Sequence, residues 1–461
     1  MMISRNRARL AIAACAAVVA PMLLAGCNRV KQELLAPQNP GIVDPTAVAS
    51  PTAAAALRVG AIGRYKQLQS CEGLWEMAGT LADEYKNADF LTDRIDWDQR
   101  QITPINGIIS YSGITQSRGF IRDAITAMNT YLPGNLADIG ELYMELGYIE
   151  MSLADNFCNG IPLGHTIGGV ITNGIPLTGS QVYDSASAHL DTALALTTAT
   201  DAGTVFVHNA ALVVKARILV AKGQYAAAAA LTTNVPTNYQ YVMTFSTSSG
   251  LNAIWSLVNS IARITVSDSQ DTFNGQPNVI QNALPFVSAQ DPRVPTISGQ
   301  ASTPKIPAED GTTPVFLALN YKNQTDPAIL ASGVDARLFE AEAKLAAGDI
   351  PGMMTILNTL RAAKPSLGTI AIPALPALPT PATTADAVTL LFRERGFWTF
   401  GRGIRLPDLR RLIRQYGRTE DKVFPKGNFF KGGTYGSDVN VPIPSSEQAN
   451  PLFTACLDRK A

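Results

Sequence analysis

The sequence has no surplus of basic residues. Its 37 Lys and Arg balance its 37 Asp and Glu. Three of the arginines, Arg5, Arg7 and Arg9, precede residue 27, and without them 34 basic residues face 37 acidic ones. Proteins that bind a phosphate backbone neutralise it with clustered Lys and Arg. The balance therefore excludes nucleic acid as the expected partner.

Histidine is scarce and the common catalytic motifs are missing. None of the three histidines, His165, His189 and His208, stands at metal-ligand spacing from a cysteine, so we expect no metal and no cofactor. Neither Gly-x-Ser-x-Gly nor His-Glu-x-x-His occurs. Asp83 and Glu84 are adjacent on a predicted helix and diverge by about 100°, so they cannot readily flank one glycosidic bond. The sequence thus argues against an enzyme.

After residue 26 no run approaches eighteen uninterrupted apolar residues, so no membrane-spanning helix is predicted there. The opening differs: the three arginines are followed by an apolar run from Leu10 to Leu24 and by Ala25-Gly26-Cys27. This order is typical of an export signal, and the run is shorter than the ~20 residues of a spanning helix. We therefore expect residues 1–26 to be a cleaved signal peptide.

The cysteine directly after Leu-Ala-Gly resembles the bacterial lipobox. The resemblance implies that Cys27 becomes the acylated first residue, carrying palmitate or a similar chain, with each buried methylene contributing about 0.8 kcal/mol to membrane binding. The alternative is an ordinary secretory signal with a chance cysteine. We expect a protein anchored by lipid in the outer membrane and facing the exterior, although sorting signals leave the periplasmic side open.

Few cysteines remain for the folded body. With Cys15 in the signal and Cys27 acylated, Cys71, Cys158 and Cys456 are left, an odd number for an oxidising compartment. We expect one disulfide and one free thiol. Cys71–Cys158 is the favoured pair, because both residues flank predicted helices of the N-terminal half; three separate thiols are the alternative.

The rest of the chain divides by composition. Residues 27–50 are rich in turn and breaker residues and predict a flexible tether. Residues 51–235 and 331–461 predict two helical parts, packed as one globular body. Residues 236–330 are rich in Ser, Thr, Asn, Gln and Pro and lack strong periodicity, which favours an irregular, ligand-facing region. Within the first helical part, a helix is predicted over about 52–86 and a loop over 87–112.

Apolar stripes at helical spacing predict the scaffold. Leu142, Leu146, Ile149 and Leu153 share one helix face, and Val182 to Ala193 repeats the pattern. Two further stretches read as helix, glycine turn and helix, with the turns at Gly223 and Gly348. Such pairs resemble tetratricopeptide units, which bury their apolar faces by stacking on one another. The expected fold is all-α: tetratricopeptide-like helical pairs in a right-handed scaffold, decorated by long irregular loops.

Four segments together resemble the SusD/RagB family of surface lipoproteins from glycan-uptake systems. The first is the lipobox with its Asn/Pro-rich tether. The others are, in chain order, Glu141 through Asn156-Phe157 to Gly160-Ile161-Pro162-Leu163; Val182-Tyr183 through Lys215-Ala216-Arg217 to Gly223-Gln224-Tyr225; and Arg393-Glu394-Arg395 with Gly401-Arg402-Gly403, Leu409-Arg410-Arg411 and Pro442-Ile443-Pro444.

The resemblance implies a SusD-like helical fold without catalysis, acting as a lid over a SusC-like TonB-dependent outer-membrane transporter. It also implies that Arg393, Glu394, Arg395 and Arg402 are structural charges that pair between the last helices. The irregular region is short here and has few aromatic residues, which departs from the family and argues against a starch-like ligand.

Sugar binding uses aromatic faces beside amide or carboxylate groups. Trp97 is the best candidate, because acidic, basic and amide residues surround it in a predicted loop. Tyr85, Phe90 and Tyr321 are the other candidates, the last because Lys322-Asn323-Gln324 follows it. Capping or filling the core is the alternative for each. The remaining tryptophans, Trp75, Trp255 and Trp398, lie in apolar patterns and are assigned to packing.

These features predict a lipid-anchored binding protein that captures an oligosaccharide or other nutrient and delivers it to the transporter. A lipid-anchored scaffold that only holds other proteins is one alternative. A surface hydrolase is the other.

Overall fold

A computed structural model of the chain describes residues 49–70, 73–167, 170–248 and 250–461. The chain divides into two units, Met1–Ala53 and Ala54–Ala461, and the second is compact in itself. The predictions for the signal peptide, for most of the tether, for acylated Cys27 and for Cys71 lie outside the described residues.

Helices dominate the part described. Its α-helices are α1 (Pro51–Ser70), α2 (Leu74–Ala82), α3 (Thr92–Asp98), α4 (Tyr111–Tyr131), α5 (Leu136–Asn156), α6 (Gly179–Leu196), α7 (Ala202–Ala221), α8 (Tyr225–Thr232), α9 (Gly333–Ala346), α10 (Ile350–Ala362), α11 (Thr384–Trp398) and α12 (Arg405–Arg414). A π-helix spans Trp255–Ser260, and short 3₁₀ helices span Glu420–Lys422 and Ser445–Ala449.

The strands are short and pair two by two. They are β1 (Tyr85–Asn87), β2 (Ile161–Pro162), β3 (His165–Ile167), β4 (Val170–Thr172), β5 (Pro176–Leu177), β6 (Gln240–Met243), β7 (Ile264–Val266), β8 (Gln270–Phe273), β9 (Gln276–Val279), β10 (Thr296–Ser298), β11 (Phe316–Ala318), β12 (Ala328–Ser332), β13 (Ser366–Leu367) and β14 (Ile370–Ala371). The antiparallel pairs are β1–β7, β2–β5, β3–β4, β6–β12, β8–β9, β10–β11 and β13–β14.

The helical scaffold follows the predicted stripes. Each stripe residue on α5 (Leu142, Leu146, Ile149 and Leu153) is buried, and so is the matching stripe on α6. The two helices approach closely at Gly147, where an added Cβ would lie 2.8 Å from Leu190 Cγ. Burying such stripes against each other is the main source of helix stability in a folded protein, so the all-α expectation is confirmed.

Both predicted glycine turns are present. Gly223 lies between α7 and α8 with φ +75°, and Gly348 lies between α9 and α10 with φ +77°. Glycine adopts this left-handed conformation without steric cost. Asp349 then caps α10, its side chain accepting from Gly352 N at 2.8 Å.

Among the described residues, α7 is the one helix whose length and composition would allow it to cross a membrane. Half of its apolar window is buried. Its charged residues are paired with other helices: Lys215 with Asp191 of α6, and Arg217 with Asp155 of α5. These contacts are those of a helix that packs within the fold.

Two local expectations for residues 52–112 are wrong. The predicted helix over 52–86 is two helices, α1 and α2, followed by strand β1, and the predicted loop over 87–112 contains α3. Strand β1 pairs with β7 about 180 residues later in the chain, Tyr85 opposite Val266. Such long-range pairing overrides local helical propensity.

The disulfide differs from the favoured pairing. Cys158 is bonded to Cys456, with 298 residues of sequence separation. Cys158 follows α5, and its backbone N–H donates to Val441 O at 2.9 Å. Close by, Leu457 N donates to Asn159 O at 2.8 Å. The C-terminal segment therefore returns to the end of α5, which brings the two sulfurs together.

Among the described residues, three of the four charges near the last helices pair between elements of the fold, as predicted, and Arg393 does not. Glu394 of α11 is fully buried and accepts from Arg293 and Arg361, with Nη1 to carboxylate distances of 2.7 and 3.0 Å. Arg395 binds Asp408 of α12, and its Nε lies 2.7 Å from Oδ2. Arg402 forms a two-pronged pair with Asp335 at the start of α9; Arg393 lies on the ring of Phe397, 4.7 Å from its centroid.

Candidate functional site

Trp97 lies inside the protein, on α3. Its ring is 1% exposed, and its Nε1 donates to Asn106 Oδ1 at 3.2 Å. The polar residues around it serve the fold: Asp98 Oδ2 accepts from Asn87 N at 2.6 Å, and Asp93 Oδ2 accepts from Gly107 N at 2.9 Å. Because these side chains bind backbone, they close the segment over the indole. The predicted loop is wrong, and the ligand contact of Trp97 stays a prediction that its burial disfavours.

Tyr85 and Tyr321 are also buried, at 1% and 5% exposure. Both meet Gly401 in the turn between α11 and α12: Tyr321 Oη lies 3.4 Å from Gly401 O, and Tyr85 Oη would lie 2.6 Å from a Cβ added to Gly401. Tyr85 packs on Phe400, with ring centroids 5.3 Å apart. Neither ring presents a face to solvent, so their ligand contacts likewise remain untested predictions.

The adjacent acids Asp83 and Glu84 take structural positions. Asp83 binds the guanidinium of Arg405 through both oxygens, at 2.6 and 2.8 Å. Glu84 is fully buried, and its Oε1 accepts from Gly401 N at 2.9 Å. Burial, with nearby Asp83, raises the pKa of Glu84 to about 8. A buried, neutral carboxyl beside a fully paired one does not form a solvent-accessible catalytic pair.

The raised pKa of Glu84 predicts a pH-dependent stability. The folded state holds a proton that the unfolded state releases above pH 4.5, so the free energy of unfolding falls as pH rises from about 4.5 to about 8. Glu84→Gln removes the group that holds this proton. Between pH 4.5 and pH 6, the free energy of unfolding of the variant minus that of wild type is therefore expected to increase by about 2 kcal/mol. Urea unfolding across this range measures the difference.

Glu309→Gln, which removes a more exposed carboxylate, is the control for the Glu84 measurement. We expect it to run parallel to wild type across the range. A Glu84→Gln curve that also runs parallel to wild type contradicts the assignment.

Phe90 differs from the other candidates, because 69% of it is exposed. Four segments meet beside it: residues 86–91, the β8–β9 hairpin, the turn at 308–313 and residues 428–431. Lys431 links three of them, since its Nζ donates to Asp89 O and lies 2.6 Å from Asp310 Oδ2. Phe430, partly exposed, lies beneath Lys86, whose Nζ is 4.8 Å from the ring centroid. We call this the Phe90 surface, formed by Lys86, Phe90, Leu91, Phe430 and Lys431.

The charges of the Phe90 surface are compensated within the protein. Lys86 Nζ lies 3.0 Å from Asp271 Oδ2 of β8, and both side chains are less than 10% exposed. Although burial opposes it, the ammonium of Lys431 and two threonine residues hold the pKa of Asp310 below its usual range. Burial raises the pKa of nearby Asp98 to about 7. A surface with paired charges suits an uncharged polar ligand.

Two asparagines adjoin this surface, in β9 and in the segment that carries Phe430. Asn278 of β9 donates through Nδ2 to Asn428 O at 3.0 Å, and Asn428 is exposed. Across the described ranges, no group of three His, Cys, Asp or Glu side chains could hold a metal ion. An exposed ring with amides and paired charges beside it can stack on and hydrogen-bond a sugar.

Phe430 is not among the site residues predicted from the sequence. Its signal was present: two adjacent aromatics, Phe429 and Phe430, followed by Lys431, stand among exposed glycine and asparagine residues. Phe429 is buried, at 1% exposure, and Phe430 packs against it with centroids 4.9 Å apart. One ring therefore anchors the turn while its neighbour faces outward.

The chain is similar in fold to several solved structures. No protein-family model and no curated protein matches the chain. A SusD-like protein from Bacteroides fragilis is similar over 90% of this chain and 98% of its own, with a TM-score of 0.62 and 12% identity. A SusD superfamily protein from Bacteroides vulgatus covers 89% and 99%, with a TM-score of 0.60 and 15% identity.

This chain has the SusD-like fold. The expectation from the four sequence segments is thereby confirmed for the fold. A third SusD-like structure, described as laminarin binding, is similar over 88% of this chain and 99% of its own, with a TM-score of 0.59 and 16% identity. Nearly the whole of each SusD-like protein is matched, so the similarity extends over the fold and is not confined to one helical part.

Proposed function

We propose that this SusD-like chain is a nutrient-binding lipoprotein of the SusD/RagB family that captures an oligosaccharide at the Phe90 surface. The observation that carries the proposal is an exposed aromatic ring on a surface of paired charges that two asparagines adjoin, on a fold shared with proteins described as carbohydrate or laminarin binding. The irregular segments that meet at Phe90 supply a ligand surface, while the helical pairs keep it rigid.

The chemistry of the Phe90 surface favours a neutral glycan. A sugar ring presents C–H groups on one face and hydroxyls at its edge, which match an aromatic face and neighbouring amides. Lys86 and Lys431 are each engaged by a carboxylate, at 3.0 and 2.6 Å. An acidic glycan would have to compete with these carboxylates for its cations, whereas a neutral one leaves the pairs intact.

The proposal includes membrane attachment and delivery. Acylation of Cys27 anchors the protein in the outer membrane, facing the exterior, and a SusC-like TonB-dependent transporter receives the ligand. Mass spectrometry of the protein isolated from membranes tests the anchor, and an unmodified amino terminus contradicts it. Co-purification tests delivery: a large β-barrel partner supports import, and periplasmic enzymes alone support the scaffold alternative.

We infer that the protein binds without catalysis. Asp83 and Glu84, an adjacent carboxylate pair that could suggest catalysis, are buried and engaged by Arg405 and the Gly401 amide. A broad glycoside hydrolase and esterase screen is expected to detect no turnover. Turnover that survives repurification revives the hydrolase alternative.

Phe90→Ala is expected to weaken glycan binding about tenfold, because it removes an exposed stacking face without removing packing. Isothermal titration with a panel of neutral and acidic glycans, using the mature chain, measures the change. Ile171→Ala is the matched control, since it removes an apolar side chain that is 71% exposed on β4. Wild-type protein that binds no glycan in the panel removes the carbohydrate part of the proposal.

A further inference from the structure

Trp255 is the one tryptophan that reaches the surface, and all four lie within the described residues. Trp75, Trp97 and Trp398 are 2%, 1% and 1% exposed, whereas Trp255 is only partly buried. Its predicted assignment to the core is therefore incomplete. One part of the indole packs against the main hydrophobic core, and another part faces solvent.

The backbone beneath Trp255 has an uncommon form. Trp255 begins the π-helix Trp255–Ser260, whose wider turn displaces side chains from the positions that an α-helix would give them. The π-helix is rare and is frequently found at functional sites. Here it keeps Leu257 and Val258 buried, while Trp255 remains partly exposed.

Two buried asparagines fix this π-helix to the loop at 318–326. Asn252 accepts from Trp255 N at 3.1 Å and donates through Nδ2 to Asp326 O at 2.9 Å. Asn259, at the other end, donates through Nδ2 to Ala318 O at 2.8 Å and accepts from Ala318 N at 2.9 Å. Because both ends of the π-helix are fixed, its first residue, Trp255, loses little conformational freedom when a ligand binds.

The indole also has its polar group satisfied. Trp255 Nε1 donates to Lys322 O at 3.2 Å. What it offers to a ligand is therefore the apolar ring. The exposed residues Lys322 and Asn323 and the partly exposed Gln324 follow directly in that loop, so amide groups stand next to the ring, as in the Phe90 surface.

The segment that carries Trp255 leads to the Phe90 surface. After the π-helix it continues through Ile261, which is 41% exposed, to Arg263. There Ala88 N donates to Arg263 O at 2.9 Å, two residues before Phe90. Among the described residues, Phe90 and Trp255 do not form a ring–ring contact, so we treat them as two separate stacking faces.

We propose that Trp255 is a second stacking platform for the same ligand, which must then be a glycan chain of several sugar units. The inference rests on the proposed function, because it assigns the length of the ligand bound at the Phe90 surface. A short oligosaccharide contacts Phe90 alone, and a longer one reaches past Ile261 to Trp255.

Two ladders of neutral oligosaccharides, β-1,3-gluco- and malto-oligosaccharides of two to seven units, test the proposal by isothermal titration. Trp255→Ala is expected to weaken the longest members roughly tenfold and to leave the shortest unchanged. Phe90→Ala weakens all members. Trp255→Phe, which keeps an aromatic face, restores much of the affinity for the long members. Circular dichroism verifies that each variant is folded.

Fluorescence gives a second measurement that needs no loss-of-function variant. Because the other three tryptophans are buried, iodide quenching of wild-type emission reports mainly on Trp255. Long oligosaccharides are expected to protect the emission from iodide, short ones are not, and Trp255→Phe removes the protectable component.

The outcomes separate the two proposals. Wild-type binding that Phe90→Ala weakens and Trp255→Ala leaves unchanged at every length overturns the second platform alone. Wild-type protein that binds no member of either ladder or of the wider panel overturns the glycan function, and the second platform with it. Length-dependent loss at Trp255, with protection from iodide, supports both.

Discussion

Replacing Glu394 by Gln is expected to lower the free energy of unfolding by about 3–5 kcal/mol. Glu394 is fully buried and is held by Arg293 and Arg361. Arg293 keeps Asp291 as a second partner, at 2.6 Å, but Arg361 is left with backbone carbonyl contact through its Nε. A buried guanidinium without a compensating carboxylate has lost its hydration and retains only neutral acceptors, which is why the cost is large.

Urea unfolding at pH 7 measures the cost of Glu394→Gln, with Asp184→Asn as the matched control. Asp184 pairs with Lys222, but its side chain is 62% exposed, so its loss is expected to cost less than about 1 kcal/mol. Glu394→Leu combined with Arg361→Leu should recover much of the loss, because it removes the unpaired charge as well. Equal costs for Glu394→Gln and Asp184→Asn would contradict the role of the network.

The Glu394 network also reaches the loop at 318–326. The guanidinium of Arg293 lies over Trp398, 4.8 Å from the ring centroid, and its backbone carbonyl accepts from Asn320 Nδ2 at 3.0 Å. Asn320 belongs to the loop at 318–326, which holds Trp255 through Lys322 O. Charges on α11 therefore help to fix the loop that contacts the partly exposed indole, although the two lie far apart in the sequence.

The helical scaffold could be predicted from the sequence, because its signals are local. The stripe from Leu142 to Leu153 repeats at the period of the helix it forms, and every member is buried. Gly223 and Gly348 end their helices through a backbone conformation that glycine adopts freely. Where periodicity, turn chemistry and burial agree, the local sequence determines that a helix forms and where it ends.

The candidate site could be predicted only in part, because exposure depends on distant contacts. A polar setting drew attention to Trp97, yet those polar groups bind backbone and bury the ring. The polar residues after Tyr321 predict a ligand contact there, and Lys322 and Asn323 are exposed, but the partly exposed ring next to them is Trp255. The apolar residues around Trp255 predict a core position for it. No sequence periodicity indicates a π-helix whose ends are fixed by asparagines.

The disulfide could not be predicted for the same reason. Cys158 and Cys456 are 298 residues apart, and sequence spacing alone does not determine connectivity. What brings them together is the return of the C-terminal segment, where Asn159 Nδ2 donates to Asp458 at 3.1 Å and Asn440 Nδ2 donates to Lys460 O at 2.7 Å. These contacts exist only in the folded chain.

Removing this disulfide is expected to have the other large effect on stability. A cross-link that closes a loop of about 300 residues lowers the entropy of the unfolded chain by an amount worth about 5 kcal/mol in the chain-entropy model. The double variant Cys158→Ala, Cys456→Ala should therefore unfold at a temperature lower by roughly 5 °C, given the unfolding entropy of a chain of this length. Differential scanning calorimetry measures the shift.

The change in melting temperature on adding reductant distinguishes the contribution of the cross-link from that of the packing of the cysteine side chains. Wild-type protein in reductant should melt close to the double variant, and the double variant should not respond to reductant at all. A double variant that melts with the oxidised wild type shows instead that backbone contacts such as Leu457 N to Asn159 O hold the C-terminal segment unaided. A double variant that melts far below reduced wild type shows that Cys158, which is fully buried, contributes through packing as well as through its bond.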